Sequence, residues 1–275
     1  MHWFDTAGNG SVTQAGNRGN DSDAMNGNAV MYDIGKILAV GGAPSYEQSN
    51  ATSDATLIDI SSGTASAVPI QSMNYQRAFN NSVVLPNGQV VVVGGQAFAQ
   101  PFSDDTAVLA PELWDPTTKR FSVLAPQAMP RVYHSFALLL PDGRVLSGGG
   151  GLCGSCTANH ANVEILTPPY LLNADGSAAT RPTISAAPTE AQLGTSIAVT
   201  ASSGVKAFAL MRLSSATHSV NNEQRRVPVS FTVGTAGEYL VTIPSDPGVV
   251  IPGYYMLFAL SAKGVPSVSR TLRIP

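Results

Sequence analysis

Charge is scarce in this chain of 275 residues: Asp, Glu, Lys and Arg together make up 12%, about half of what soluble domains usually carry. The formal net charge is −3 and no basic cluster occurs, so the electrostatic footprint of a nucleic-acid-binding protein is missing. No apolar run approaches the roughly 18 residues a membrane-spanning helix needs. The first ten residues, MHWFDTAGNG, have neither the basic region nor the apolar stretch of a signal peptide. No convincing amphipathic helix is found. Cysteine is nearly absent: Cys153 and Cys156, in CGSC, are the only two. A four-thiolate zinc site is therefore excluded within the chain, and a thioredoxin-like use would need a βαβ setting that is lacking. The pair reads as a short-range disulfide of a secreted protein, or as two free thiols.

What is plentiful is glycine and proline, 26 and 19 residues, beside an apolar fraction of 44%. That combination points to a turn-rich all-β protein with a sizeable core. Repeats organise it. GKILAVGG starts at Gly35 and GQVVVVGG at Gly88; LPNGQVVVVGG starts at Leu85 and LPDGRVLSGGG at Leu140. A period of about 50 residues with paired glycines is the kelch type of β-propeller blade, of about four strands each. A residue without Cβ allows the close backbone approach that crowded inner strands need. Such units fill residues 1–175, about three blades. Propellers close with four to eight blades, so a three-blade arc is expected to leave open edges and apolar faces. After the linker TPPYLLNADGSAATRP, the segments TSIAVTAS, KAFALMRL, VPVSFTV, EYLVTI and YYMLFAL predict an immunoglobulin-like β-sandwich over 180–275.

Asn-X-Ser/Thr triplets at Asn9, Asn20, Asn50 and Asn80 are a weak extracellular signal. Four histidines exist: His2, His134, His160 and His218. Tyr133 and His134 stand together at the entrance of the third repeat. Aligning RAFNNSVVLPNG with RVYHSFALLLPDG places Phe79-Asn80 opposite Tyr133-His134, with one extra residue in the later copy. Neighbouring strand residues face opposite ways, so a shared ligand requires that this dipeptide be bulged or precede its strand. The alternative is a packed tyrosine and a hydrogen-bonded histidine. His218 lies in a polar loop, SATHSVNNEQRRVPV, which is either functional or merely exposed. His160 reads as structural. Two imidazoles and a phenolate would suit copper, but spacing does not say that the loops meet.

RVYHSFALLLPDGRVLSGGGGLCGSCTANH, PPYLLNADGSAATRP, ATHSVNNEQRRVPV and PGYYMLFALSAKGVPSVSRTLRI closely resemble the galactose oxidase family of fungal copper radical oxidases. DAMNGNAVMYD and VVLPNGQVVVVGGQAFAQPFSDDT are similar as well, so the likeness runs over essentially the whole chain. The resemblance implies a seven-bladed propeller, of which about three blades are present, followed by the sandwich. A sandwich loop would carry His218 up the propeller axis. It implies that Tyr133, His134 and His218 ligate copper, with Tyr133 as the base toward an alcohol, and that Cys153 and Cys156 form a disulfide. The expected chemistry is oxidation of a primary alcohol or carbohydrate to an aldehyde, with O2 reduced to H2O2, in a secreted enzyme that is monomeric at full length and binds neither nucleic acid nor membrane. The family's radical site, a tyrosine cross-linked to cysteine, has no counterpart here, since no cysteine precedes Cys153; the chain reads as the C-terminal part of a longer oxidase. A Tyr-Gln pair of the family appears as Tyr46-Glu47, and Phe102 matches a substrate-facing aromatic, which leaves the substrate open. The competing reading is a non-catalytic kelch-and-sandwich module that binds glycans or proteins.

Overall fold

The computed structural model describes residues 1–19, 24–235 and 237–275. Among them there is no α-helix, and one short 3-10 turn, Pro169–Leu171, occurs. An N-terminal hairpin (His2–Asp5 with Ser11–Gln14) precedes the repeats. The first blade is a four-stranded antiparallel sheet of Asn28–Asp33, Lys36–Val40, Ala55–Asp59 and Ser66–Pro69, paired in chain order. The second repeats it with Ala78–Val84, Val90–Gln96, Glu112–Asp115 and Arg120–Val123. The third has three strands, Ser135–Leu139, Val145–Gly149 and Val163–Leu166, one fewer than the repeat predicts.

The sandwich is as expected. One sheet holds Ile184–Ala186, Ser196–Ala201, Phe231–Val233 and Glu238–Thr242; the other holds Ala207–Arg212, Arg226–Val229, Gly253–Leu260 and Arg270–Ile274. Its first sheet alternates buried and exposed residues in Ser196–Ala201, the pattern of a sheet with one wet face. Gly253–Leu260 is instead buried continuously from Tyr255 to Leu260, the pattern of a strand covered on both faces. The reason is that Tyr255, Leu257 and Ala259 face the sandwich interior. Met256, Phe258 and Leu260 pack instead against Val30, Leu38 and Val40 of the first blade and Val84, Val90, Val92 and Trp114 of the second. One core thus spans two blades and the sandwich.

The paired glycines join each blade to the next. Gly42 N–H donates to Arg77 O and Gly95 N–H to Arg131 O, each at 2.7 Å, so each pair hooks onto the following blade. The preceding glycines, Gly41 and Gly94, take φ of 64° and 69°. A Cβ on them would stand 2.5 and 2.1 Å from those same carbonyls, so the crowding expected at these positions is a contact between blades. The arginines turn inward. Arg77 reaches Gly94 O, Ala110 O and Glu112, and Arg131 repeats the pattern with Gly149 O, Asn162 O and Glu164.

One face of the third blade is uncovered. Phe136, Leu138 and Leu146 are half-buried, while Val163 and Ile165 are 54% and 48% exposed. Apolar faces of this kind associate. In size-exclusion chromatography at about 50 μM the chain should elute as larger species, and Ile165→Lys should move it toward the monomer. A monomeric profile for the unaltered chain would contradict this.

One of the glycosylation triplets departs from the expectation. Asn80 is fully buried and cannot carry a glycan on the folded chain. Asn20 lies outside the described residues. Asn9 and Asn50 are exposed.

Candidate active site

Tyr133 and His134 precede the strand Ser135–Leu139 and are both half-buried. His134 has φ 64°, a left-handed conformation uncommon outside glycine. The equivalent position is left-handed in every repeat, Asn26 at 62° and Phe79 at 60°. Strand register explains the equivalence: Asn80 pairs with Gly94 as Ser135 pairs with Gly149. Phe79, not Asn80, is therefore the counterpart of His134, and the extra residue of the third repeat falls between Arg131 and His134. This corrects the alignment drawn from the arginines. The turn is what lets two neighbours face one point, since a regular strand would send them to opposite sides.

His218 arrives from the other end of the chain. Ser215–Thr217 and Val220–Asn222 form a hairpin closed by His218-Ser219, with φ of 50° and 63°. Two positive φ values in a two-residue loop mark a type I′ turn, for which Asn-Gly is the usual sequence. Holding His and Ser there costs about 1 kcal/mol or more each, so tertiary contacts must fix the tip. They do. Ser219 N–H donates to Ser135 O at 3.1 Å, Ser219 Oγ donates to Val132 O at 3.2 Å, and Asn28 Nδ2 donates to Ser219 O at 2.9 Å. Lower down, Gln224 Nε2 donates to Ser82 O and Gln224 Oε1 accepts from Val84 N–H. The hairpin is thereby laced to the innermost strands of the blades. These anchors escaped the sequence reading; the run of Ser, Asn and Gln after His218 was their only signal.

The three rings converge. Centroids of Tyr133 and His134 are 3.9 Å apart and stacked; those of His134 and His218 are 4.8 Å apart, and those of Tyr133 and His218 6.0 Å. His134 Nδ1 lies 2.6 Å from Gly151 O. A carbonyl can only accept, so Nδ1 carries the proton and Nε2 keeps a free lone pair. His218 Nδ1 lies 2.5 Å from Thr217 Oγ1, a hydroxyl that can donate or accept, so this contact engages Nδ1 without fixing the tautomer. Among the described residues, no three His, Cys, Asp or Glu side chains gather as a metal site, so a site here needs the Tyr133 phenol as third donor. Two imidazoles and one phenol suit a borderline transition metal such as copper, and suit the all-oxygen preference of calcium or magnesium poorly.

Around this centre stand more rings. Tyr46 and Phe102 meet Tyr133 at 5.8 and 5.2 Å with interplanar angles of 89° and 76°. Phe79 packs beneath at 5.2 Å. Burial, and then hydrogen bonding with Tyr133, pushes the Tyr46 hydroxyl up to about 12, so it stays a neutral donor. The two loops that carry Tyr46 and Phe102 are stapled by the strand pair Ser49–Asn50 and Phe98–Ala99 and by a hydrogen bond from Gln48 to Gln100. Glu47 is exposed at the rim. Cys153 and Cys156 are joined in a disulfide, and His160 is not in the ring cluster: its Nε2 pairs with Asp104 Oδ2 at 2.8 Å. That pair ties the Phe102 loop to the segment that supplies Gly151 O.

Comparison with known proteins agrees with the architecture. A family model described as "Glyoxal oxidase N-terminus" matches residues 30–165, and one described as "Galactose oxidase-like, Early set domain" matches 181–274. A galactose oxidase of Gibberella zeae is 45% identical over 284 aligned positions, which include all of this chain and 42% of that protein. An aldehyde oxidase of Vitis pseudoreticulata is 34% identical over 74% of this chain and 42% of its own length. A solved fungal alcohol oxidase of the AA5 family, in complex with copper, superposes with a TM-score of 0.96 at 43% identity, covering all of this chain and 59% of that one. The chain spans less than half the length of these two curated relatives. By its two matched models, its sequence identity and its fold, this chain belongs to the galactose oxidase-like family.

Proposed function

We propose that Tyr133, His134 and His218 hold a copper ion, and that the chain forms the metal-binding part of an oxidase that converts a primary alcohol to an aldehyde while O2 becomes H2O2. The observation that carries this is the convergence of those three rings from the third blade and from a strained hairpin tip of the sandwich. Copper, when bound, supplies a one-electron acceptor and a position that acidifies an alcohol's hydroxyl. The chain's own residues hold the donors and handle the alcohol proton. Gly151 O holds the tautomer of His134 and so its ligating face. Tyr133, once deprotonated, is placed as general base for the alcohol proton, and Tyr46 donates toward its oxygen. Phe102 and Tyr46 wall the site on its solvent side. The disulfide and the exposed Asn-X-Ser/Thr triplets at Asn9 and Asn50 support a secreted protein.

Alcohol oxidation removes two electrons, so a second acceptor is needed. The family's cross-linked tyrosine and cysteine have no counterpart in this chain, whose only cysteines are bonded to each other. The purified chain should therefore bind copper(II) and produce no H2O2 from galactose or simple primary alcohols. The test is copper titration followed by a peroxide assay. Copper-dependent peroxide that disappears in Tyr133→Phe would overturn the need for a second acceptor outside these 275 residues. Absence of copper binding would overturn the metal site itself.

A further inference from the structure

The rim of the ring cluster carries a charge pattern that the oxidation chemistry does not use. The segments around it, residues 43–52, 97–106 and 150–161, contain Glu47, Asp104 and Asp105 and no Lys or Arg. Asp104 is taken up by His160; Glu47 and Asp105 are exposed. Arg18, in the segment before the first blade, lines a pocket that also holds Asp54. Beside Glu47 the two outermost rings are partly open to solvent, Tyr46 at 39% and Phe102 at 45%. Each stands nearly perpendicular to Tyr133. Tyr133 is thus the floor and the other two rings are walls, held at fixed spacing by the staple between their loops.

Aromatic faces attract a cation through their quadrupole, and a neighbouring carboxylate adds to it; quaternary ammonium groups are the ligands such boxes recognise. A carboxylate or phosphate brought against these three segments would meet like charge, and none of the three carries a Lys or Arg to offset it. The alcohol end of a ligand would point inward to Tyr133, and its other end would rest between Tyr46 and Phe102 beside Glu47. We infer that this rim selects primary alcohols bearing a positive charge, such as quaternary or protonated amino alcohols, over neutral and anionic ones. The inference rests on the proposed oxidase reading for the orientation of the hydroxyl, and on Tyr46, Glu47 and Phe102 alone for the charge preference.

The experiment compares choline with 3,3-dimethylbutan-1-ol, which has the same shape and hydroxyl but a carbon in place of the charged nitrogen. Binding to the full 275-residue chain is measured by NMR titration, with and without copper(II). Choline should bind about tenfold more tightly, and the ratio should fall toward unity in Glu47→Gln and in Phe102→Ala. Glu190→Gln, on an exposed ion pair with Arg273, should leave the ratio unchanged. Equal affinities, a preference for the neutral alcohol, or no binding of either would overturn the inference. So would a choline preference that survives Glu47→Gln. A choline preference in a chain that fails to bind copper would leave this inference standing and sink the oxidase reading, so the two fail separately.

Discussion

Glu112→Ala should destabilise the fold by about 3–5 kcal/mol, the usual cost of stranding one partner of a buried ion pair. Glu112 and Arg77 are both fully buried and 3.1 Å apart. Burial pushes the Arg77 pKa down, and the charge of Glu112 and its hydrogen bond pull it back. Removing the carboxylate leaves the guanidinium with two carbonyls and no counter-charge. It also orphans Asn74 N–H, Asn74 Nδ2 and Tyr75 N–H, which donate to the same carboxylate. Urea unfolding should show the midpoint shift, and Glu112→Ala should unfold well before Glu190→Ala, whose pair with Arg273 is half-exposed on both sides and worth at most about 1 kcal/mol. Arg77→Met with Glu112→Leu should recover much of the loss, because an apolar pair can replace a buried ionic one. Equal stability of Glu112→Ala and the unaltered chain would show that the carboxylate is dispensable.

His218→Ala and His134→Ala should each weaken copper(II) binding about 100-fold or more, since each removes one of three donors. His160→Ala should change it by less than about threefold, because its imidazole meets Asp104 and not the ring cluster. Asn28→Ala should fall between them, at about tenfold, the range of changes to groups that orient a ligand. Asn28 is 8% exposed and donates to both Asn80 O and Ser219 O; without it the hairpin tip loses one of its three anchors. Isothermal titration gives the affinities, and far-UV circular dichroism establishes that each variant is folded.

The blades were legible in the sequence because glycine pairs recur at a fixed spacing, and each pair lets the chain approach the arginine carbonyl of the next blade. The sandwich strands were legible from alternation and turn spacing. The continuous burial of Tyr255 to Leu260 was less so, because it depends on a partner far away in the chain. The site was half legible. Tyr133 and His134 announced themselves as a departure from the repeat, yet counting from the arginines misplaced the extra residue by one; counting from the glycines, which fix the strand register, puts it right. That His218 meets them could not be read from spacing. It follows from a turn with two left-handed residues and from backbone acceptors, Ser135 O and Val132 O, that have no sequence signature. The resemblance to a family supplied that contact in advance.

The most direct measurement of the central claim is electron paramagnetic resonance of the chain loaded with one equivalent of copper(II), in the unaltered form and in His134→Ala and His218→Ala. The account predicts hyperfine structure from two equivalent-type imidazole nitrogens, reduced to one in each variant, with the His160→Ala spectrum unchanged. A spectrum that keeps both nitrogens in His218→Ala, or that shows copper bound by oxygen donors alone, would contradict it.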